Sequence, residues 1–149
     1  MALEYRLTLA GSTPPAQMAE RALPVPVESP AEIAPVLRAS LYDTHGFAVT
    51  IRAGQRAYVS AESDSGLWEW EPATYVSVGF RMDKEADHEW EVVNMLTIVR
   101  RILETGPEDA ALVFNGDVLL LTRLDGVLVK HRRDGWWASY PATNEVIPD

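Results

Sequence analysis

One stretch of the chain, from Asp83 to Arg133, joins a helix with one apolar face to three short apolar strands. Apolar side chains recur in the helix at a spacing of three and four residues, at Val92, Met95, Leu96, Val99, Ile102 and Leu103. Polar side chains fall on the opposite side, at Glu89, Glu91, Asn94, Thr97, Arg100, Arg101 and Glu104. This pattern predicts an amphipathic helix that packs through one face and leaves the other, Glu91 included, in water.

The three strands after the helix are separated by tight turns, which predicts a meander. An Asn-Gly or Asp-Gly pair between apolar runs is typical of a hairpin turn, because both residues tolerate positive φ. The runs and turns are Ala110–Phe114, Asn115-Gly116, Val118–Thr122, Asp125-Gly126 and Val127–Lys130.

The chain before the helix alternates in several places between apolar and polar residues, which predicts strands. The elements predicted there are a strand within residues 1–10, a short helix at Ala16–Leu23, a broken turn near Ala31–Ser40, strands at Phe47–Ile51, Ala57–Glu62 and Tyr75–Phe80, and a loop over Ser63–Ala73.

The order of strands, helix and further strands predicts an α+β fold. We expect a mostly antiparallel, twisted sheet of about six strands, covered by one long amphipathic helix and a shorter N-terminal helix. A chain of 149 residues suits one domain. We place that domain at residues 1–140 and expect residues 141–149 to form a loose C-terminal tail.

Composition excludes several classes of protein. The chain has no cysteine, so disulfides and thiolate chemistry are excluded. Its 13 basic and 22 acidic residues give a net charge of -9, a common solubility setting that also disfavours nucleic acid as a partner. The first ten residues alternate and do not resemble a signal peptide, and no run approaches the roughly 20 apolar residues that cross a bilayer. We therefore expect a cytoplasmic protein without membrane contact.

No common catalytic or cofactor-binding motif occurs in the chain. We therefore expect no catalytic residues, no cofactor and no metal, and predict that the protein is not an enzyme. His88 lies beside Glu85, Asp87, Glu89 and Glu91, so a cluster of carboxylates and imidazole is one interpretation. The other, which we favour, is a solvated acidic first turn that the helix dipole stabilises.

The sequence Trp68-Glu69-Trp70-Glu71 alternates two large rings with two carboxylates. Both rings lie on one side if the segment is extended. Tryptophan is enriched at binding hot spots and carboxylates attract a basic partner, so we predict that these four residues form a partner-binding rim. The alternative is an edge strand that packs both indoles on the core.

Five segments carry a resemblance that spans nearly the whole chain: Leu3–Leu9, Trp68–Pro72, Val92–Leu96, Asp109–Asp117 and Thr122–Gly126. Through them the chain resembles a family of small proteins from actinobacteria and myxobacteria. That family is grouped with the immunity protein of a contact-exchanged lipoprotein toxin system that inhibits swarming competitors. The resemblance implies a cytoplasmic protein that binds a delivered toxin domain and blocks it.

From this resemblance we expect stoichiometric, non-catalytic neutralisation of a protein toxin domain. One alternative is a regulatory module that binds a small ligand or a protein and merely shares the scaffold, and another is a small enzyme with an unrecognised site. A toxin gene beside this one would favour the first function, whereas a deep apolar pocket with converging charged groups would favour an enzyme. The sequence predicts no oligomeric state.

Overall fold

The computed structural model describes residues 3–23 and 36–148, which form one β-sheet with helices on one of its faces. The elements are β1 (Glu4–Ala10), α1 (Pro15–Ala22), β2 (Val36–Leu41), β3 (Phe47–Gln55), β4 (Val59–Ser63), β5 (Gly66–Trp70), β6 (Thr74–Met82), α2 (His88–Glu104), β7 (Ala110–Phe114), β8 (Val118–Leu124), β9 (Val127–Lys130), a π-helical turn (Arg133–Trp137) and α3 (Thr143–Val146). The strand order is β2-β3-β6-β1-β7-β8-β4-β5, and β9 also pairs with β8.

The predicted sheet of about six mostly antiparallel strands under one long and one shorter helix is wrong, because the described residues form a mixed sheet of nine strands. β2 occupies residues 36–41, where a broken turn was predicted; residues 31–35 of that turn lie outside the described residues. β5 replaces most of the predicted loop, since a turn of only two residues follows β4. β4 runs parallel to β8, a long-range pairing that no local pattern encodes.

The two glycine turns of the C-terminal meander are confirmed. β7 pairs antiparallel with β8, and β8 pairs antiparallel with β9. Asn115 and Gly116 have φ of 49° and 75°, and Asp125 and Gly126 have φ of 51° and 78°. These left-handed conformations reverse the chain in a way that follows the right-handed twist of the strands.

The main core lies between the helices and one face of the sheet. α2 begins after Asp87, whose carboxylate accepts a hydrogen bond from the backbone N–H of Glu89 at 3.1 Å. The apolar face predicted for α2 is buried, and it packs on the central strands β1 and β6 and their neighbours. The residues fully or almost fully buried in this layer include Leu7, Leu9, Val78, Phe80, Val92, Met95, Leu96, Val99 and Ile102.

The prediction that Glu91 faces water is wrong, because its side chain is completely buried. The loop between β2 and β3 folds over the first turn of α2 and covers it. A Cβ added at Gly46 would lie 2.6 Å from Cγ of Glu91, so this loop passes the helix too closely for any larger residue. Gly46 also has a φ of 90°, which side chains rarely allow.

Two arginines fasten the far end of α2. The guanidinium of Arg123 donates to the carbonyl oxygens of Leu103, Gly106 and Glu108 at 2.6, 2.8 and 2.7 Å. Leu103 is in the last turn of α2, where a helix leaves carbonyl groups free, and the other two are in the loop that follows. Arg21 of α1 makes a bidentate ion pair with the Glu108 carboxylate. Nη1 donates to Oε2 at 2.5 Å, and Nη2 donates to Oε1 at 2.9 Å. Burial alone would raise the pKa of Glu108, but the pairing with Arg21 outweighs it and holds the pKa below its usual range.

The end of the chain differs from the loose tail expected there. α3 lies within residues 141–148, and Thr143 and Ile147 are buried against the main core. Nζ of Lys130 also lies 3.0 Å from Oδ1 of Asn144, which ties this segment to β9. Apolar residues near the end of the sequence therefore add to the core, and the single domain placed at residues 1–140 stays a prediction.

Leu96 lies at the centre of the buried face of α2, so we expect Leu96→Ala to lower the free energy of unfolding by roughly 2 to 5 kcal/mol. Thr97→Ala is the matched control, because Thr97 is the next residue on the same helix and is exposed. It should change stability by less than about 1 kcal/mol. Denaturant titration of the two variants checks this, and equal losses would mean that the buried face is assigned incorrectly.

Candidate functional site

The sheet has a second face, which the helices do not cover. Successive side chains of a strand point to opposite faces, so β1, β2, β3 and β6, which give apolar residues to the core, also give polar residues to this face. Paired residues cross it in a row from Arg38 on β2 through Thr50 on β3 and Gly79 on β6 to Arg6 on β1. Two residues from Gly79 along β6, the same face carries Arg81 in one direction and Ser77 in the other. Ser77 pairs with Arg52 on β3.

This open face is the floor of a concave cleft of about 1070 Å³. The floor is made of small residues, among them Gly79, Ser77, Thr50 and Thr8, and the start of the β4–β5 hairpin rises along one side as a wall. We call this surface the arginine cleft, because five arginines line it: Arg6, Arg38, Arg52, Arg56 and Arg81.

The charge of the arginine cleft is opposite to that of the whole protein. The net charge is -9, yet five of the 13 basic residues line this one surface, together with a single carboxylate, that of Glu4. All five arginines are exposed. In the part of the chain that the structure describes, none of the five guanidinium groups makes an ion pair or a hydrogen bond. A concave surface lined with charge of one sign concentrates the field, so the cleft attracts anionic groups.

The four residues predicted as a partner-binding rim lie outside the lining of this cleft, on β5 and just after it, where Trp70 and Glu69 pair with the lining residues Val59 and Ser60. Trp68 and Trp70 are half-buried in the edge strand β5, with ring centroids 6.0 Å apart. They pack on a small second core made of Ala61, Ala111, Val113 and Leu119. This location is the edge-strand alternative of the sequence analysis, and the role of the four residues in binding stays a prediction.

The two carboxylates that alternate with the tryptophans face solvent. Glu69 and Glu71 are exposed, and the hydroxyl of Tyr58 donates a hydrogen bond to Oε2 of Glu69 at 2.5 Å. That bond, in which the hydroxyl keeps its proton, raises the pKa of Tyr58. The hairpin thus presents indoles to the second core and acidic groups to the outside.

The histidine cluster at the start of α2 is organised around one buried carboxylate. Nδ1 of His88 lies 2.8 Å from Oε1 of Glu91, while Oε2 of Glu91 is buried without a hydrogen-bond partner. Burial raises the pKa of Glu91, and the contact with His88 offsets this only in part. Across residues 3–23 and 36–148, no three side chains of metal-binding type come together.

The arginine cleft could not be predicted from the sequence because its residues are far apart in the chain. Four of the arginines stand on strands at polar positions of the apolar-polar alternation, where an arginine is unremarkable, and Arg56 directly follows a strand. Only the strand order and register bring β1, β2, β3 and β6 side by side. The available signal was the repeated arginine at outward positions of these strands.

Comparison with known proteins gives one match. The model of the SitI3-like family matches residues 3–141, which is nearly the whole chain. Neither a curated protein nor a solved structure shows significant similarity. The described helices include none with the length and hydropathy needed to span a membrane.

The buried carboxyl group of Glu91 makes stability depend on pH. A carboxyl group whose pKa is raised by folding stabilises the folded state below its unfolded pKa, and this contribution is lost as the pH rises through the raised value. Glutamine cannot ionise. We therefore expect the melting temperature of the unaltered protein, relative to Glu91→Gln, to fall as the pH rises from about 4, the ordinary pKa of a glutamate, through the neutral range. Thermal unfolding followed by circular dichroism across this range checks the sign, and a constant difference would contradict it.

Proposed function

Because the chain belongs to the SitI3-like family, we propose that it is an immunity protein that neutralises a protein toxin domain by binding it stoichiometrically, without catalysis. The observation that carries this proposal is the arginine cleft, an exposed concave surface whose five guanidinium groups have no partner in the described structure. We place the encounter in the cytoplasm, after contact between neighbouring cells has delivered the toxin.

The residues around the cleft support binding rather than catalysis. A hydroxyl nucleophile needs a base beside it. The described lining offers hydroxyls, such as Ser60 and Ser77, but it contains no histidine, and Glu4 is its one carboxylate. A regulatory module that binds a small anion and a small enzyme remain the alternative functions, and both would act on a small molecule rather than on a toxin.

The β4–β5 hairpin is the second part of the proposed contact. β5 is an edge strand, and Glu69 on it and Glu71 just after it present two negative charges to solvent. Such charges at the rim of an interface act mainly on the rate of association. We propose that Trp68, Glu69, Trp70 and Glu71 meet a basic patch on the toxin, with the indoles holding the strand in place.

The stoichiometry of inhibition tests the proposed function. The toxin domain recovered by affinity capture from the native cell is titrated with this protein in an assay of toxin activity. We expect inhibition to be complete at one equivalent, and a complex of that composition in light scattering, because a bound inhibitor blocks one target. Complete inactivation by a small fraction of an equivalent would indicate catalysis and contradict the proposal.

The two carboxylates of the hairpin should steer the toxin. Glu69→Gln with Glu71→Gln should slow association and weaken its dependence on salt, since such charges are screened beyond about 8 Å at physiological ionic strength. The melting temperature should not change, because both side chains are exposed. Glu20→Gln with Glu85→Gln removes the same charge at exposed positions elsewhere and is the matched control. Equal association rates for the two double variants in surface plasmon resonance would exclude the hairpin from the contact.

A further inference from the structure

We infer that the arginine cleft binds an extended acidic segment of the partner protein, with carboxylates spaced along it. This inference rests on the proposed function for the identity of the partner, and on the geometry of the cleft for its chemistry. It also assigns the partner two surfaces of opposite charge: a basic one for the hairpin and an acidic one for the cleft.

The spacing of the arginines points to several separate anionic groups. Arg38 and Arg6 lie in the same row but three strands apart, which is about 14 Å. Arg52 pairs with Ser77, four residues from Arg81 along β6, which adds about 13 Å in the other direction. Arginines spread over such an area can reach several anionic groups at once, over a span wider than one phosphate or one small anion. They match a ligand that brings several carboxylates, each of which a guanidinium binds through two parallel hydrogen bonds.

The floor of the cleft leaves room for a chain to lie across it. Gly79 is at its centre, between Thr50 on one neighbouring strand and Arg6 on the other. A Cβ added at Gly79 would make only an ordinary contact of 3.7 Å, so the backbone does not require glycine there. Glycine at this position instead makes the cleft deeper. The small floor residues let a ligand lie between the longer arginine side chains.

The charge of the rest of the molecule favours a protein segment over a nucleic acid. Five of the 13 basic residues and one of the 22 acidic residues line the cleft, so the rest of the chain holds eight basic residues against 21 acidic ones. A long polyanion that extends beyond the cleft would meet this acidic surface and be repelled. A short acidic segment would place its charges on the arginines alone.

A synthetic peptide of about ten residues, alternating glutamate and serine, is the probe, because its extended form is long enough to cross the strands of the cleft. Its affinity for the full chain is measured by fluorescence anisotropy at low and physiological salt. The test variant is Arg6→Gln with Arg38→Gln. The matched control is Lys84→Gln with Arg101→Gln, which removes the same charge from exposed positions outside the cleft. All four altered residues are exposed, so circular dichroism should show folded proteins with unchanged melting temperatures.

We expect the peptide to bind the unaltered protein and the control variant equally, and to bind the cleft variant about tenfold more weakly, with salt reducing the difference. No binding to the unaltered protein, or equal loss in both variants, would overturn the inference. Tighter, arginine-dependent binding of a single-stranded oligonucleotide than of the peptide would also overturn it, and would assign the cleft to a nucleic acid.

The toxin domain separates this inference from the proposed function. If the unaltered protein forms no complex with the toxin, the proposed function fails, while the peptide result still decides the chemistry of the cleft. If the complex forms and Arg6→Gln with Arg38→Gln leaves its affinity unchanged, the proposed function stands and the cleft is not the site that the toxin uses.

Discussion

The packing of helices on only one face of the sheet is the constraint on which the rest of this structure depends. A strand buried on one face must alternate apolar and polar residues, whereas a strand buried on both is apolar throughout. β1 and β6 lie at the middle of the sheet and follow the first pattern, with Leu7 and Val78 beneath α2 and Arg6 and Gly79 on the other face. The arginine cleft exists because no helix covers these outward positions.

The two ends of α2 are fastened differently, and together they keep the floor of the cleft in place. At its end, Arg123 joins the last turn to the loop before β7, and Arg21 joins α1 to the same loop through Glu108. At its start, the buried Glu91 packs against Gly46 in the loop before β3. The helix is thereby connected to strands near both edges of the open face. A ligand that enters the cleft therefore contacts a sheet that α2 supports on its opposite face.

The local features of this fold could be predicted from the sequence, and the long-range ones could not. The apolar face of α2 and the turns at Asn115 and Asp125 follow from residue spacing and from the φ values that turn residues tolerate. The burial of Glu91 depends on a loop some 45 positions earlier in the chain, and helical periodicity carries no information about it. The strand β5 was mistaken for a loop because its turn residues were counted without the pairing with β4 that they allow. The cleft was missed for the same reason, since it depends on the order and register of four strands.

The hairpin that forms the wall of the cleft is attached more weakly than the sheet beneath it. β4 pairs with β8 through a single residue pair, Glu62 with Val118, and the second core beneath the hairpin contains only four buried residues. Proteins open in cooperative units, and a unit with few buried contacts opens at a lower free energy than the whole molecule. We therefore expect the hairpin to open at a lower free energy than the main core. Such opening would widen the cleft, and a bound partner that touches both floor and wall would slow the amide hydrogen exchange of β4 and β5.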